Sequence, residues 1–193
     1  MHQLYDWFGL NVALFHVVND VHAAWWDRLM LAMTWLGDHD RFSLYMALAL
    51  AVSFARPKVL SQRAVVVFGI GYALSGLVVT TLKPWVDFPR PLLALGRDAV
   101  VVVGEPEYHH SFPSGHSTFA VLVAASLSLQ SPRWLAASLW SYALLVCLSR
   151  MSLGAHFPAD VCGGALLGAG SALVAVAVVR RLRAERRQPQ ASS

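Results

Sequence analysis

The chain has 193 residues, of which 56% are hydrophobic and only 13% are charged, and its formal net charge is +4. Charged residues make up about 25% of an average soluble domain. A soluble domain of this length could not bury so much apolar surface, so the composition excludes a water-soluble protein and predicts a polytopic membrane protein. The length corresponds to a single domain, residues 1–193. We expect the lipid bilayer as a partner, and no nucleic acid.

The first predicted elements lie within residues 1–40. Segments 4–18 and 24–36 are apolar and helix-like, but they contain aspartates and several tryptophans. Tryptophan favours the membrane interface, so these segments either cross the membrane or lie along its surface. The start of the chain lacks a basic region followed by an uninterrupted apolar run, so we predict no cleavable signal peptide.

Five membrane-spanning helices are predicted in the rest of the chain. The first candidate is 41–55, which ends before an Arg-Pro pair. Segments 64–82 and 158–179 meet the requirement of about 20 apolar residues for a span. Segments 117–129 and 134–149 are shorter, and reach that length only if their polar ends extend into the headgroup layer. The predicted fold is an all-α membrane bundle of five to six helices, with the catalytic part in 64–179 and a basic tail in 180–193.

Three polar blocks interrupt the apolar pattern where predicted spans begin or end. Unpaired charges are costly in such positions, and ionisable residues found there usually have a function. The blocks are Lys83-x6-Arg90-Pro91 (block 1), Pro113-Ser114-Gly115-His116 (block 2) and Ser149-Arg150-x5-His156-x3-Asp160 (block 3).

The cations of these blocks suit the binding of phosphate. Lys83, Arg90 and Arg150 can neutralise the charge on its non-bridging oxygens, and arginine can do so with two hydrogen bonds. Taken singly, each could equally be a side chain that reaches from a helix end to the interface. Their combination with two histidines and a carboxylate favours the phosphate site.

Block 2 is typical of a tight turn into a helix N-terminus. Unpaired N–H groups there form an anion site, and Gly115 allows close approach of the backbone to a phosphate oxygen. Ser114 either caps the helix, or binds the phosphate, or does both. His116, in the first turn, suits a general acid that protonates the leaving oxygen.

Block 3 places a carboxylate four residues after a histidine. Asp160 can fix the tautomer of His156 and support the imidazolium that forms when the ring attacks phosphorus. His156 is therefore the candidate nucleophile, and the expected intermediate is a phosphohistidine. In isolation, the same pair would also fit a structural interaction at a helix start.

The eleven specified residues resemble the three-part signature of the phosphatidic acid phosphatase type 2 superfamily, and the resemblance runs from about residue 64 to the last span. It implies a helical membrane bundle and metal-independent dephosphorylation, with no cofactor. It also implies a role for each site residue. His156 would be the nucleophile, Asp160 its orienting partner and His116 the acid, with Lys83, Arg90, Ser114, Gly115 and Arg150 holding phosphate.

The distribution of Lys and Arg predicts the orientation. If the tail, 180–193, faces the cytoplasm, alternation of the spans puts nine of the fifteen basic residues on that side, as the positive-inside rule requires. All three blocks then face the opposite side, the periplasm of a bacterial inner membrane. The nine residues are Arg56, Lys58, Arg63, Arg133, Arg180, Arg181, Arg183, Arg186 and Arg187.

Other polar residues lie outside the blocks. The loop residues Glu105, Glu107, His109 and His110 match no common zinc spacing, so we interpret them as solvated or headgroup-facing and predict no metal site. Asp87 and Arg97 are candidates for influencing substrate choice, and His39 is interpreted as interfacial.

Two further features concern packing. Cys147 and Cys162 are expected to be buried thiols, with a disulfide between them as the less favoured alternative. Gly164 and Gly168 give the last span a small face for close helix packing.

The sequence therefore predicts a lipid phosphate or pyrophosphate phosphatase, with undecaprenyl pyrophosphate as the leading substrate. Lipid A 1-phosphatase or phosphotransferase activity and phosphatidylglycerophosphate phosphatase activity are the alternatives within the superfamily. A lipid transporter is a more remote interpretation, because transporters place polar groups near the bilayer midplane. A vanadate-dependent haloperoxidase is disfavoured by the membrane embedding.

Overall fold

The computed structural model describes residues 3–185, and within that range the regular structure is entirely helical, which confirms the predicted all-α fold. Residues 186–193 of the predicted basic tail lie outside the described part of the chain. The α-helices of residues 3–185 are α1 (Gln3–Asp6), α2 (Leu10–Asn19), α3 (Ala24–Leu36), α4 (Phe42–Ala55), α5 (Gln62–Val86), α6 (Pro91–Leu95), α7 (Gly115–Leu127), α8 (Arg133–Ser152) and α9 (Pro158–Glu185).

Among residues 3–185, three helices are long and apolar enough to cross a membrane: α5, α8 and α9. Two predicted spans are shorter. Helix α4 has 14 residues and α7 has 13, so each rises about 20 Å, against a hydrocarbon thickness of about 30 Å. Helix α8 begins one residue before the predicted 134–149 segment and continues for three residues after it, to Ser152, which gives it its full spanning length.

Helix α7 is the centre of the bundle. It packs against α5, α8 and α9, and every residue from Ser117 to Ala124 is buried. Because neighbouring helices surround α7, its short apolar length does not leave its polar ends exposed to lipid. The helix that carries block 2 is thereby fixed between the helices that carry blocks 1 and 3.

Two glycines on one face of α9 allow the backbone of α7 to approach that helix closely. A side chain at Gly164 would collide with the carbonyl oxygen of Ser114, and one at Gly168 would collide with the carbonyl oxygen of Thr118. Only glycine at these two positions allows the backbones to come this close. This agrees with the small-residue face predicted from the sequence.

The N-terminal segment packs along the rest of the bundle, with α2 against α8 and α9 and with α3 against α8. Helix α2 has 10 residues and α3 has 13, so they rise about 15 Å and 20 Å, which is too short for either to cross alone. Two fully buried asparagines of this segment, Asn11 and Asn19, bond to the backbone of the bundle.

Candidate active site

The three sequence blocks meet at one cavity of about 340 Å³ at one end of the bundle. Helix α5 brings Lys83, the following loop brings Arg90, and the start of α7 brings the residues of block 2. The end of α8 and the turn before α9 bring the residues of block 3. The block residues that line the cavity are Lys83, Arg90, Gly115, His116, Arg150 and His156.

Ser114 is the N-cap of α7. Its hydroxyl oxygen accepts hydrogen bonds from the Ser117 backbone N–H, at 3.4 Å, and from the Ser117 hydroxyl, at 3.0 Å. Its backbone N–H donates to the carbonyl oxygen of Asp160. Ser114 is fully buried and lies behind the cavity wall, so of the two roles that its sequence allowed, the geometry favours capping. Gly115 and His116, which follow it, line the cavity.

His156 lies in the turn between α8 and α9, and is 1% exposed. The turn is tight because the His156 backbone N–H donates to the carbonyl oxygen of Arg150, and because Gly154 adopts a φ of 74°. A side chain at Gly154 would press on the carbonyl oxygen of Val101. This turn fixes the imidazole ring at the wall of the cavity.

The hydrogen bonds of His156 define its tautomer. A guanidinium N–H of Arg90 lies 3.2 Å from Nε2, and because guanidinium groups only donate, Nε2 must be the unprotonated nitrogen. The proton then resides on Nδ1, which lies 3.4 Å from both the Ser111 hydroxyl and Asp160 Oδ2. Nε2 therefore carries the lone pair that would make it the attacking atom of the candidate nucleophile.

The surroundings of His156 keep its ring neutral. Burial lowers its pKa well below the ordinary value, and the positive charges of Arg90, Arg150 and Lys83 lower it further. A neutral imidazole is the form that can attack phosphorus. The cations that suit phosphate binding thus also hold the candidate nucleophile in its reactive form.

Asp160 is completely buried in the first turn of α9. Its Oδ1 accepts a hydrogen bond of 2.6 Å from the Tyr5 hydroxyl. Its Oδ2 accepts one of 2.6 Å from the Ser111 hydroxyl and one of 2.9 Å from the Phe157 backbone N–H. Tyr5 and Ser111 were missed by the sequence analysis. Neither belongs to a recognisable pattern, and the only hint was that Ser111 lies two residues before block 2.

Glu107 joins the two arginines of the site. Its carboxylate lies 2.5 Å from Arg90 and 3.3 Å from Arg150. The sequence analysis placed Glu107 with the solvated loop residues, and that interpretation is wrong for this residue, because the arginines are buried and attract the nearest flexible carboxylate. Thr34 on α3 accepts a further hydrogen bond from Arg150.

The two loop histidines lie away from the cavity. His109 and His110 are exposed, and Nδ1 of His110 lies 2.9 Å from Asp87. The other candidate for substrate choice, Arg97, donates to the Tyr108 hydroxyl and is also exposed. Asp87 and Arg97 therefore lie on the surface of the loop, outside the residues that line the cavity.

A different group of potential metal ligands occurs before α4. Asp38, His39 and Asp40 bring their ligand atoms within 4.8 Å of one another. The cluster is mostly exposed, its histidine is paired with both aspartates, and we assign no metal site to it. His39 also lines the cavity, which its interpretation as a purely interfacial residue did not predict.

The cysteine predictions were partly wrong. Cys147 and Cys162 are both free thiols, so the disulfide alternative is excluded. Cys162 is exposed on the outer face of α9 rather than buried. In a membrane bundle, an apolar environment for a thiol can be supplied by lipid as well as by protein.

A helical membrane bundle in which a buried histidine, a neighbouring carboxylate and three cations meet at one cavity is the arrangement expected of an enzyme that acts on phosphate esters. The model of the phosphatidic acid phosphatase type 2 (PAP2) superfamily matches residues 64–184, so the chain belongs to this superfamily. It is a membrane lipid phosphatase of that family.

Individual relatives and a solved structure agree with this assignment. The undecaprenyl-diphosphatase of Sulfolobus acidocaldarius is 31% identical over 175 residues, which is 88% of this chain and 79% of that protein. The lipid A 1-phosphatase of Rhizobium johnstonii is 32% identical over 109 residues, which is 55% of this chain and 44% of that protein. The crystal structure of Aquifex aeolicus LpxE superposes with a TM-score of 0.76 at 28% identity, covering 87% of this chain and 95% of that chain.

Proposed function

We propose that this protein hydrolyses the terminal phosphate of a polyprenyl diphosphate, most specifically undecaprenyl pyrophosphate, through a phosphohistidine on His156. The observation that carries the proposal is the unprotonated Nε2 of His156 at the wall of a cavity that Lys83, Arg90 and Arg150 also line. The relative of similar length named undecaprenyl-diphosphatase supports the substrate class.

In the first step, the three cations bind the terminal phosphate and Nε2 of His156 attacks its phosphorus atom. The new N–P bond forms as the bond from phosphorus to the bridging oxygen breaks, and the leaving group is the lipid monophosphate. His116, which lines the same cavity, donates a proton to that oxygen. The negative charge of the bound substrate favours the protonated form of His116 that this step requires.

In the second step, water attacks the phosphohistidine. His116, now neutral, takes a proton from the water as the new P–O bond forms and the N–P bond breaks. Inorganic phosphate leaves, and Nε2 regains its lone pair. Throughout both steps Asp160 faces the Nδ1–H of His156 and stabilises the positive charge that the ring carries while it is phosphorylated.

The shape of the cavity supports a single-chain lipid diphosphate. From the cations it continues along α5, where Tyr72, Gly76 and Val79 line it together with Phe119 of α7. This apolar side can take the first carbons of a prenyl chain. At about 340 Å³ the cavity is near the lower end of the range for small-molecule sites, about 300–1,000 Å³, which favours a slender substrate over a disaccharide headgroup inside the cavity.

A phosphate-release panel tests the substrate. We expect purified protein in detergent to hydrolyse undecaprenyl diphosphate with a kcat/KM at least tenfold above that for lipid A, phosphatidylglycerophosphate and undecaprenyl monophosphate, and His156→Ala to be inactive on all four. Highest activity on lipid A with loss of its 1-phosphate would favour the second candidate, which the relative named lipid A 1-phosphatase supports.

We further propose that the cavity opens to the periplasm and that the C-terminus is cytoplasmic, on the basis of the Lys and Arg distribution. In a variant with both native cysteines replaced, single cysteines within residues 98–108 are expected to react with an impermeant thiol reagent in intact spheroplasts. A cysteine next to Arg133 should react only after lysis. The reverse pattern would show that the orientation is inverted.

A further inference from the structure

We propose that Tyr5, from the segment without any motif, is a positioning residue of the reaction: its hydroxyl holds the Asp160 carboxylate in the orientation that serves His156. The proposal rests on the role of His156 as nucleophile that was proposed above.

The first argument is the geometry of the carboxylate. Tyr5 donates to Oδ1 at 2.6 Å, while Ser111 and the Phe157 backbone N–H donate to Oδ2 at 2.6 and 2.9 Å. Because both oxygens are held, the carboxylate cannot rotate about its own axis. Without the Tyr5 hydroxyl, the hydrogen bonds from Ser111 and Phe157 would still hold Oδ2. Oδ1 would lose the hydrogen bond from Tyr5 and would be left as a buried acceptor.

The second argument is that Tyr5 is itself held firmly. Its ring lies 4.3 Å from the ring of Phe88 and meets that of Phe157 edge-on at 6.2 Å. The Tyr5 carbonyl oxygen accepts a hydrogen bond from the side chain of Asn11. The same Asn11 side chain accepts from the Ala159 backbone N–H, one of the donors that the first turn of a helix leaves unpaired. The N-terminal segment is thereby joined to the turn of α9 that carries Asp160.

The third argument concerns charge. Burial and the neighbouring Asp160 raise the pKa of Tyr5, so its hydroxyl remains a donor over the working pH range. It disperses part of the negative charge of Asp160 without neutralising it. The ionisable groups around His156 are Asp160 from α9, Arg90 with Glu107, Lys83, Arg150 and His116. Among residues 3–185, Tyr5 is the only hydrogen-bond partner of the Asp160 carboxylate that comes from the N-terminal segment.

The test is the variant Tyr5→Phe, which removes only the hydroxyl, assayed on an aryl phosphate so that the result does not depend on the identity of the lipid. We expect kcat to fall about 10–100-fold while KM stays within about threefold, as for loss of an outer partner that orients a catalytic group. Tyr142→Phe is the matched control: it likewise removes a tyrosine hydroxyl, but one that donates to the backbone carbonyl oxygen of Leu36, and it is expected to leave kcat unchanged. A kcat of Tyr5→Phe within twofold of that control would overturn the proposal.

A double-mutant cycle with Asp160→Asn separates positioning from a general effect on folding. If Tyr5 acts through Asp160, its hydroxyl contributes much less to kcat in the Asp160→Asn background than in the wild type. An equal loss in both backgrounds, or a fall in the thermal midpoint that accounts for the lost activity, would assign Tyr5 a merely structural role. Failure of the wild type to form a phosphohistidine would instead contradict the proposed function. Because that measurement uses only the wild type, it is separate from the test of Tyr5.

Discussion

The carboxylate of Glu107 lies 2.5 Å from the guanidinium of Arg90 and also bonds to Arg150. Both arginines are buried, at 5% and 6% exposure, whereas the Glu107 side chain is 44% exposed on the loop between α6 and α7. A substrate phosphate that uses these two guanidinium groups must displace the carboxylate. We therefore expect Glu107 to compete with phosphate for the two arginines.

The first prediction concerns inhibition by phosphate. Glu107→Gln keeps the size of the side chain but removes its charge, so inorganic phosphate should bind more tightly and its inhibition constant should fall by roughly tenfold, the scale of one charge-assisted hydrogen bond. Glu105→Gln, two residues earlier on the same exposed loop, is the control and should leave the constant unchanged. An inhibition constant that stays the same in Glu107→Gln would show that the carboxylate does not compete with phosphate.

The second prediction concerns metal ions. The substrate charge is expected to be met by Lys83, Arg90 and Arg150, which line the cavity, so phosphate release should continue in excess chelator. Vanadate should inhibit, because its five-coordinate adduct with His156 resembles the transition state. Activity that disappears in chelator and returns with a divalent cation would contradict this expectation.

The third prediction concerns the contact between α7 and α9. Gly164→Ala places a methyl group against the Ser114 carbonyl oxygen, whereas Gly170→Ala on the same helix meets nothing within 4 Å. Overpacking of this kind costs about 1–3 kcal/mol, so thermal unfolding in detergent should occur at a lower temperature for Gly164→Ala only. Equal midpoints for the two variants would mean that the helices can separate at little cost.

The features that the sequence predicted are those encoded locally. Apolar runs predicted the helices, and the positions of the blocks where those runs begin or end predicted that Lys83, His116 and His156 lie at the same end of the bundle. The site residues that the sequence analysis missed are brought to the site by tertiary packing. Tyr5 is 155 positions from Asp160, and Thr34 is 116 positions from Arg150. No periodicity or spacing connects such residues, so their roles become visible only when the N-terminal segment is seen against the bundle.

The last prediction separates the roles proposed for His156 and His116. If His156 is the nucleophile, His156→Ala removes the covalent route and should abolish turnover on every substrate. If His116 protonates the leaving group, the cost of His116→Ala depends on how basic that group is. General acid catalysis is worth roughly 10²–10⁴-fold, and a leaving group that is already stable as an anion needs little of it.

His116→Ala should therefore retain appreciable activity on an activated aryl phosphate while losing most of its activity on a lipid monoester, whose alkoxide is a poor leaving group. If His116 also activates the water of the second step, this variant should accumulate phosphohistidine, which can be trapped by rapid denaturation at alkaline pH. His156→Ala should show neither behaviour. Equal losses in the two variants across leaving groups, without a trapped phosphoenzyme, would mean that the nucleophile and the acid are assigned wrongly, even though both rings line the same cavity.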